Sequence, residues 1–180
     1  MESPDGFVRA FFILNTQALI RSIQPQDAPA ITDIYNYYIR TSIITFEEEE
    51  ITIDEMERRI QEITESFQMP FIVILEDYTV VGYAYIAKWR TRDAYRFSAE
   101  SSIYLHHKHF GKGMGFSLYE EIIRLAKEGG WKRLIGGASL PNPASIRLHE
   151  KLGFKKVGHF EKVGFKFNEW IDVGFWQLDL

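Results

Sequence analysis

Polar and apolar positions change period several times along the chain, and each change marks an element. Leu19–Gln24 alternates apolar and polar residues and stops at Pro25, which predicts a first strand. Asp27 and Pro29 open a helix whose apolar face is Ile31, Ile34, Tyr35, Tyr38 and Ile39. Thr52 with Glu55 three residues on forms a capping box, predicting a second helix with Met56, Ile60, Ile63 and Phe67 turned inward. The acidic run Glu47–Glu50 before it reads as a solvated face. Then the period falls to two. Phe71–Leu75 and Val80–Ala87 flank Glu76-Asp77-Tyr78-Thr79, the pattern of two strands joined by a tight turn. Ser98–Leu105, rich in serine and β-branched residues, predicts another strand. A helix from Gly113 to about Lys127 has Phe116, Leu118, Tyr119, Ile122, Ile123 and Ala126 as its buried stripe, and Gly129-Gly130 ends it. A short strand Leu134–Ala138, a short helix Pro143–Leu152 stopped by Gly153, and a hairpin or meander from Phe154 to Val173–Leu178 complete the chain. Strands with interspersed, not strictly alternating, helices predict an α/β (α+β) mixed sheet with helices on both faces.

Composition narrows what such a fold can do. The 180 residues suit one ordinary domain, able to bury about 70% of its unfolded surface without staples. No repeat, low-complexity tract or linker divides it, so the expected organisation is an N-terminal extension over 1–18 and a single domain over 19–180. With 21 basic and 25 acidic side chains the formal charge is −4, which argues against a nucleic-acid backbone as partner. Cysteine is absent, excluding disulfides, a thiolate nucleophile and thiolate metal ligands. The start, Met1–Thr16, has one apolar burst, Phe11–Leu14, but neither the basic region nor the length of a secretory signal. No run approaches the roughly 20 apolar residues of a membrane span. The expectation is a loosely packed extension and a cytoplasmic protein with no membrane partner. His106, His107 and His109 lie close enough in sequence to suggest a metal, but neighbours in an extended segment point to opposite sides and no carboxylate or cysteine completes a set. The expected metal is none.

The most informative segment is Phe110-Gly111-Lys112-Gly113-Met114-Gly115, between a strand and a helix. Glycines at alternate positions leave backbone amides open to a ligand, and the helix start adds unpaired N–H groups and the positive end of a dipole. That suits a pyrophosphate, although a tight strand-to-helix turn explains the glycines equally well. The spacing matches neither a Walker loop nor a dinucleotide fingerprint.

Downstream lies Asn142-Pro143-Ala144-Ser145-Ile146-Arg147-Leu148-His149-Glu150-Lys151-Leu152-Gly153-Phe154. Together with the glycine turn this resembles the GNAT superfamily of acetyl-CoA-dependent N-acetyltransferases. Trp89–Tyr95, Ala99–Tyr104 and Gly174–Asp179 further resemble its phosphinothricin acetyltransferase branch, which includes acetyltransferases of methionine sulfoximine and methionine sulfone. The resemblance spans Leu19 to Leu180 and implies a mostly antiparallel central sheet, acetyl-CoA as co-substrate, a small amine acceptor and a homodimer. One position departs: Phe110 stands where the family carries Gln or Arg, which removes one side-chain contact to the pyrophosphate.

Transfer of an acetyl group to an amine needs a neutral amine, a polarised thioester and a stabilised thiolate. An α-amino group with pKa near 8 is mostly protonated at pH 7, at a cost of about 1.4 kcal/mol per pKa unit. Glu100, alone among uncharged residues of Ser98–Leu105, is the candidate base; pairing with Arg92 or Arg96 is the alternative. By the resemblance, His149 occupies the place of a tyrosine acid that protonates the thiolate, with a packed or surface histidine beside Glu150 as the alternative. The resemblance also implies that Ile103, Tyr104 and Leu105 pair with the pantetheine arm as a neighbouring strand would. It places Gly111, Lys112, Gly113, Met114, Gly115, Phe116, Asn142 and Lys151 against the rest of the coenzyme. Asn142 also fits as N-cap of the helix that begins at Pro143. Arg90 and Arg92, set among aromatics, suit a carboxylate or phosphinate, or are a solvated basic loop. Phe46, Tyr95, Ser101 and Ser102 complete the implied acceptor site together with Glu100. Two other functions stay open: acetylation of a protein N-terminus or another amine, and a non-catalytic acetyl-CoA-binding module.

Overall fold

The structure is a computed structural model; it describes residues 9–13 and 16–180, with side chains from Ala18 onward. Its strands are β1 (Arg9–Ile13), β2 (Thr16–Ser22), β3 (Phe71–Glu76), β4 (Thr79–Lys88), β5 (Ser98–Leu105), β6 (Arg133–Leu140), β7 (Lys155–Lys166) and β8 (Glu169–Asp179). Its helices are α1 (Ala28–Thr41), α2 (Ile53–Gln61), α3 (Met114–Glu128) and α4 (Pro143–Lys151). The strands form one sheet in the order β1-β2-β3-β4-β5-β6-β8-β7. Every neighbouring pair is antiparallel except β5 with β6. The predicted mixed sheet with helices on both faces is therefore what forms.

The two faces bury two cores. Strand alternation sends Ile72, Ile74, Ala84, Ile86 and Ala99 to one face, where Leu118, Tyr119, Ile122 and Ala126 of α3 cover them. Phe71, Val73, Leu75 and Tyr83 point to the other, beneath Ile31, Ile34, Tyr35, Tyr38 and Ile39 of α1 and Met56 and Ile60 of α2. This is why β3 reads as an uninterrupted apolar run: it is buried on both sides. The predicted faces of α1 and α3 pack inward, except that Phe116 of α3 is only partly buried and lies outside this core.

Local chemistry sets the boundaries, and at several of them the fold departs from the pattern. Thr52 Oγ1 accepts from Glu55 N (3.2 Å), but the Glu55 carboxylate turns to Arg58 and Arg59, so only half of the capping box forms. Helix α2 then widens into a π-helical stretch, Glu62–Ser66, which leaves Ile63 and Phe67 partly buried. Glu47 and Glu50 do not belong to a merely solvated face. Glu47 pairs with Arg59 at 2.6 Å and accepts the Tyr35 hydroxyl, while Glu50 pairs with Arg40. The segment assigned to an extension also enters the sheet: β1 pairs with β2 at its edge, and β2 starts at Thr16, not Leu19. The rest of that extension, residues 1–8, 14 and 15, lies outside the described residues.

One irregularity positions the site. Strands β5 and β6 pair for only three residues, Ser98–Glu100 with Arg133–Ile135. Beyond that β5 stays with β4 as far as Leu105, and β6 stays with β8 as far as Leu140. The sheet opens between them. Three polar side chains lie at the fork: Ser101 Oγ is 2.8 Å from Tyr119 Oη and 3.3 Å from the Ile135 carbonyl, and Tyr119 Oη is 3.0 Å from His149 Nε2. They fit because β6 carries Gly136. A Cβ there would come within 2.1 Å of His149 Nε2 and 3.1 Å of Tyr119 Oη. Overpacking a buried site of this kind costs about 1–3 kcal/mol. We expect Gly136→Ala to lower the melting temperature by roughly 3–10 °C in thermal unfolding followed by circular dichroism. An unchanged melting temperature would show that the fork is not tightly packed.

Candidate active site

The fork opens into a cleft of about 260 Å³, walled by β5, the α3 start, Gly137 of β6 and the first turns of α4. Of the residues predicted for a site, Glu100, Ser101, Ser102, Ile103, Tyr104, Leu105, Gly115, Asn142 and His149 line it. Phe110, the departing position, lines it too.

The open edge of β5 offers main-chain groups, though not from all three predicted residues. His106 N donates to the Val81 carbonyl (2.8 Å), which fixes the phase of the β4–β5 ladder. Antiparallel alternation then spends the main chain of Tyr104 on Tyr83, its partner in register, and turns that of Ile103 and Leu105 away from β4. The Leu105 carbonyl accepts the Tyr38 hydroxyl, so α1 helps to fix this edge. Tyr104 is thus corrected as a main-chain partner; its ring instead packs against Tyr83 and Tyr35.

Next to this edge the glycine turn enters α3. Gly111 and Gly113 hold φ of +81° and +79°, where side chains are strained, and a Cβ on either would meet nothing within 4 Å. Gly113, as N-cap, has no side chain to cap the helix, which leaves the Met114 and Gly115 amides without intrahelical partners. Gly115 lies against Leu105, with 3.2 Å from its would-be Cβ to Leu105 Cδ1. The result is a set of N–H groups at a helix start, bordered by open space, which is a fitting seat for an anion. Met114 itself is buried, and Lys112 places its ammonium on Glu76 at 2.7 and 2.9 Å. Phe116 and Lys151 meet each other, Nζ 4.5 Å from the ring centre, where α3 starts and α4 ends.

Glu100 lies in the cleft opposite Ala87 of β4, with Oε1 3.6 Å from where a Gly137 Cβ would stand. Burial pushes its carboxyl pKa up from the ordinary 4.5, and the charge of Arg90 pulls it partly back. No ion pair with Arg92 or Arg96 forms among the described residues, so the pairing alternative does not hold. Ser102 stands opposite Tyr85 in the β4–β5 register, whereas Ser101 turns to the opposite face and the fork.

His149 is buried, and both ring nitrogens are engaged. Nδ1–H donates to the Ser145 carbonyl at 2.8 Å, which leaves Nε2 to accept the Tyr119 hydroxyl. Burial lowers its pKa and so favours the neutral ring. It also stacks near Trp176, centroids 5.8 Å apart. Asn142 is the N-cap anticipated from sequence, its Oδ1 accepting from Ser145 N at 3.1 Å.

The predicted acceptor residues Phe46, Arg90, Arg92 and Tyr95 do not line this cleft. Arg90 covers the Trp89 ring at 4.3 Å, and Arg92 is exposed just before the short turn Asp93–Tyr95. Neither arginine forms an ion pair among the described residues. Phe46 packs on Gly164 of β7, where a Cβ would stand 2.5 Å from its ring. Sequence reasoning missed Tyr38, Ser145 and Tyr119. All three sit on helix faces that read as core or cap, and only the fold reveals their polar partners.

Comparison with known proteins places this geometry. A family model described as an acetyltransferase (GNAT) domain matches residues 20–174. Phosphinothricin N-acetyltransferase of Streptomyces viridochromogenes is 37% identical over 164 residues, covering 89% of this chain and 86% of that protein. L-methionine sulfoximine/L-methionine sulfone acetyltransferase of Salmonella typhimurium is 36% identical over 162 residues, covering 89% and 94%. The solved structure of a GNAT superfamily phosphinothricin acetyltransferase from Sinorhizobium meliloti, in complex with acetyl-CoA, superposes with a TM-score of 0.88 at 36% identity, covering 91% and 88%. A parted sheet, a glycine turn at a helix start and a match over most of the chain agree: this chain belongs to the GNAT family of acetyltransferases.

Proposed function

We propose that the enzyme transfers the acetyl group of acetyl-CoA to the α-amino group of a small amino-acid-like compound, of the phosphinothricin or methionine sulfoximine type. The carrying observation is the juxtaposition of three features in one cleft: the open β5 edge, the unpaired amides at the α3 start, and a desolvated Glu100. Relatives named for these substrates, alike over nearly the whole chain, support the acceptor class. The residues present suit the co-substrate. The amides of Gly113, Met114 and Gly115 would hold its diphosphate, and the main chains of Ile103 and Leu105 would pair with the amide-bearing arm.

Glu100 takes the proton that the amine loses as nitrogen bonds the acetyl carbon and the carbon–sulfur bond breaks. Its raised pKa makes it a stronger base than a surface glutamate. The leaving thiolate, with a free pKa near 8.5, needs only about 2 kcal/mol of help at pH 7. We assign that help to hydrogen-bond donation from the Ser145 hydroxyl, because both ring nitrogens of His149 are engaged, in place of a charged imidazolium acid. The proton collected at Glu100 balances the one the sulfur takes up. Arg90 and Arg92, free of ion pairs among the described residues, would receive the acceptor's carboxylate or phosphinate, with Phe46 and Tyr95 at the rim of that site.

We further propose a homodimer. The β7–β8 hairpin at the sheet edge exposes Phe160, Phe165, Phe167 and Trp170, an aromatic surface of the kind that soluble proteins cover. We also propose a cytoplasmic location, where a charged co-substrate that does not cross membranes is available.

Rates with phosphinothricin and methionine sulfoximine, followed by thiol release, test the function. We expect Glu100→Gln to lower kcat about 100-fold or more with acetyl-CoA binding intact in calorimetry. The wild-type acid limb of kcat/KM should lie above pH 4.5, activity falling as pH drops through the raised carboxyl pKa, and should vanish in the variant. Arg92→Ala should raise the acceptor KM and leave coenzyme affinity unchanged. A Glu100→Gln enzyme with full turnover would remove that residue from the chemistry, and thiol release with neither compound would refute the acceptor class. For the dimer, sedimentation equilibrium should report twice the chain mass at micromolar concentration; a monomer there contradicts it.

A further inference from the structure

The glycine turn is held by a contact 36 residues away in sequence. Glu76, the last residue of β3, is 6% exposed and accepts from both His109 Nδ1 (2.6 Å) and Lys112 Nζ (2.7 and 2.9 Å). Lys112 and, after it, His109 hold its carboxyl below the ordinary 4.5 against the opposing effect of burial, so it is ionised at neutral pH. A carboxylate shielded in this way needs hydrogen-bond donors, and these two side chains, themselves partly exposed, supply them. Both partners come from the segment between β5 and α3, one on each side of Phe110-Gly111. That segment has few other ties: His106 N on the Val81 carbonyl, and the His107 ring stacked on Tyr37 at 3.9 Å. Phe110 itself is 57% exposed and offers no polar side chain.

We propose that Glu76 is the positioning residue of the coenzyme seat: it clamps His109 and Lys112 and so fixes the left-handed backbone at Gly111 and Gly113 that aims the amides. The inference rests on the proposed seat for the diphosphate of acetyl-CoA. It carries a definite consequence. Because Glu76 neutralises the Lys112 ammonium, the seat holds the diphosphate through main-chain N–H groups, and Lys112 serves by ordering them. Were Lys112 instead a direct phosphate ligand with Glu76 as its competitor, removing the Glu76 charge would tighten coenzyme binding.

The test is isothermal calorimetry with acetyl-CoA, alongside initial rates, on the full chain. We expect Glu76→Gln to raise the Kd and KM for acetyl-CoA about tenfold, with kcat and the acceptor KM within twofold of wild type. Lys112→Met should have a similar effect, and the double variant should be no weaker than the worse single one, because both changes open the same clamp. Tighter or unchanged binding by a folded Glu76→Gln protein overturns the proposal, as does a doubling of the loss in the double variant. If Glu76→Gln does not fold, His109→Leu decides: several-fold weaker binding is expected, and wild-type affinity overturns it. Gly113→Ala separates this inference from the seat itself, since it strains the backbone at φ +79° without filling space. Wild-type affinity in that variant refutes the seat. Lost affinity there with unchanged affinity in Glu76→Gln refutes only the clamp.

Discussion

The parting of β5 from β6 is the constraint on which everything else in the structure depends. Two parallel strands that separate after three paired residues leave main-chain donors and acceptors unpaired in the middle of a sheet. Buried backbone groups must find partners, so a sheet opened in this way is either penetrated by water or completed by another chain-like molecule. The enzyme keeps the opening by filling its apex with Ser101, Tyr119 and His149, whose hydrogen bonds are mutual, and by removing the side chain at Gly136. On the proposed reading, an amide-bearing arm laid along the open edge would supply what the missing strand does not.

The same opening explains the electrostatics. Glu100 sits at the last paired position of β5, partly withdrawn from water, so its carboxylate carries a desolvation cost that surface glutamates do not. His149, buried at the fork, is driven the other way, toward the neutral ring. Glu100 and His149 thus line one cleft with opposite responses to burial, which suits the proposed roles of a carboxylate base and an uncharged histidine. The α3 dipole and its free amides would put the positive end against the diphosphate in the proposed seat, without requiring a free lysine.

Much of this was legible in the sequence because it is written locally. The inward stripes of α1 and α3, the Thr52 cap, the Asn142 cap and the turn before β4 each follow from neighbours within four residues. The glycine turn and the helix Pro143–Leu152 were recognisable together because the family keeps them in fixed order. What the sequence concealed involves pairing over distance. Nothing near Glu76 announces Lys112, and Tyr119 reads as one more apolar position until Ser101 and His149 are brought to it. The acidic run before α2 looked solvated because its partner Arg59 lies on the next helix. Tyr104 was grouped with Ile103 and Leu105 by the family resemblance, which does not reveal the phase of the ladder.

Amide hydrogen exchange at single-residue resolution, with and without acetyl-CoA, measures the open edge directly. We expect the Ile103 and Leu105 amides to exchange readily in the free enzyme and to become protected on binding, while Tyr104, already bonded within the β4–β5 ladder, changes little. Equal protection of all three before the coenzyme is added, or no change at Ile103 and Leu105 after it, would contradict an edge that the coenzyme completes.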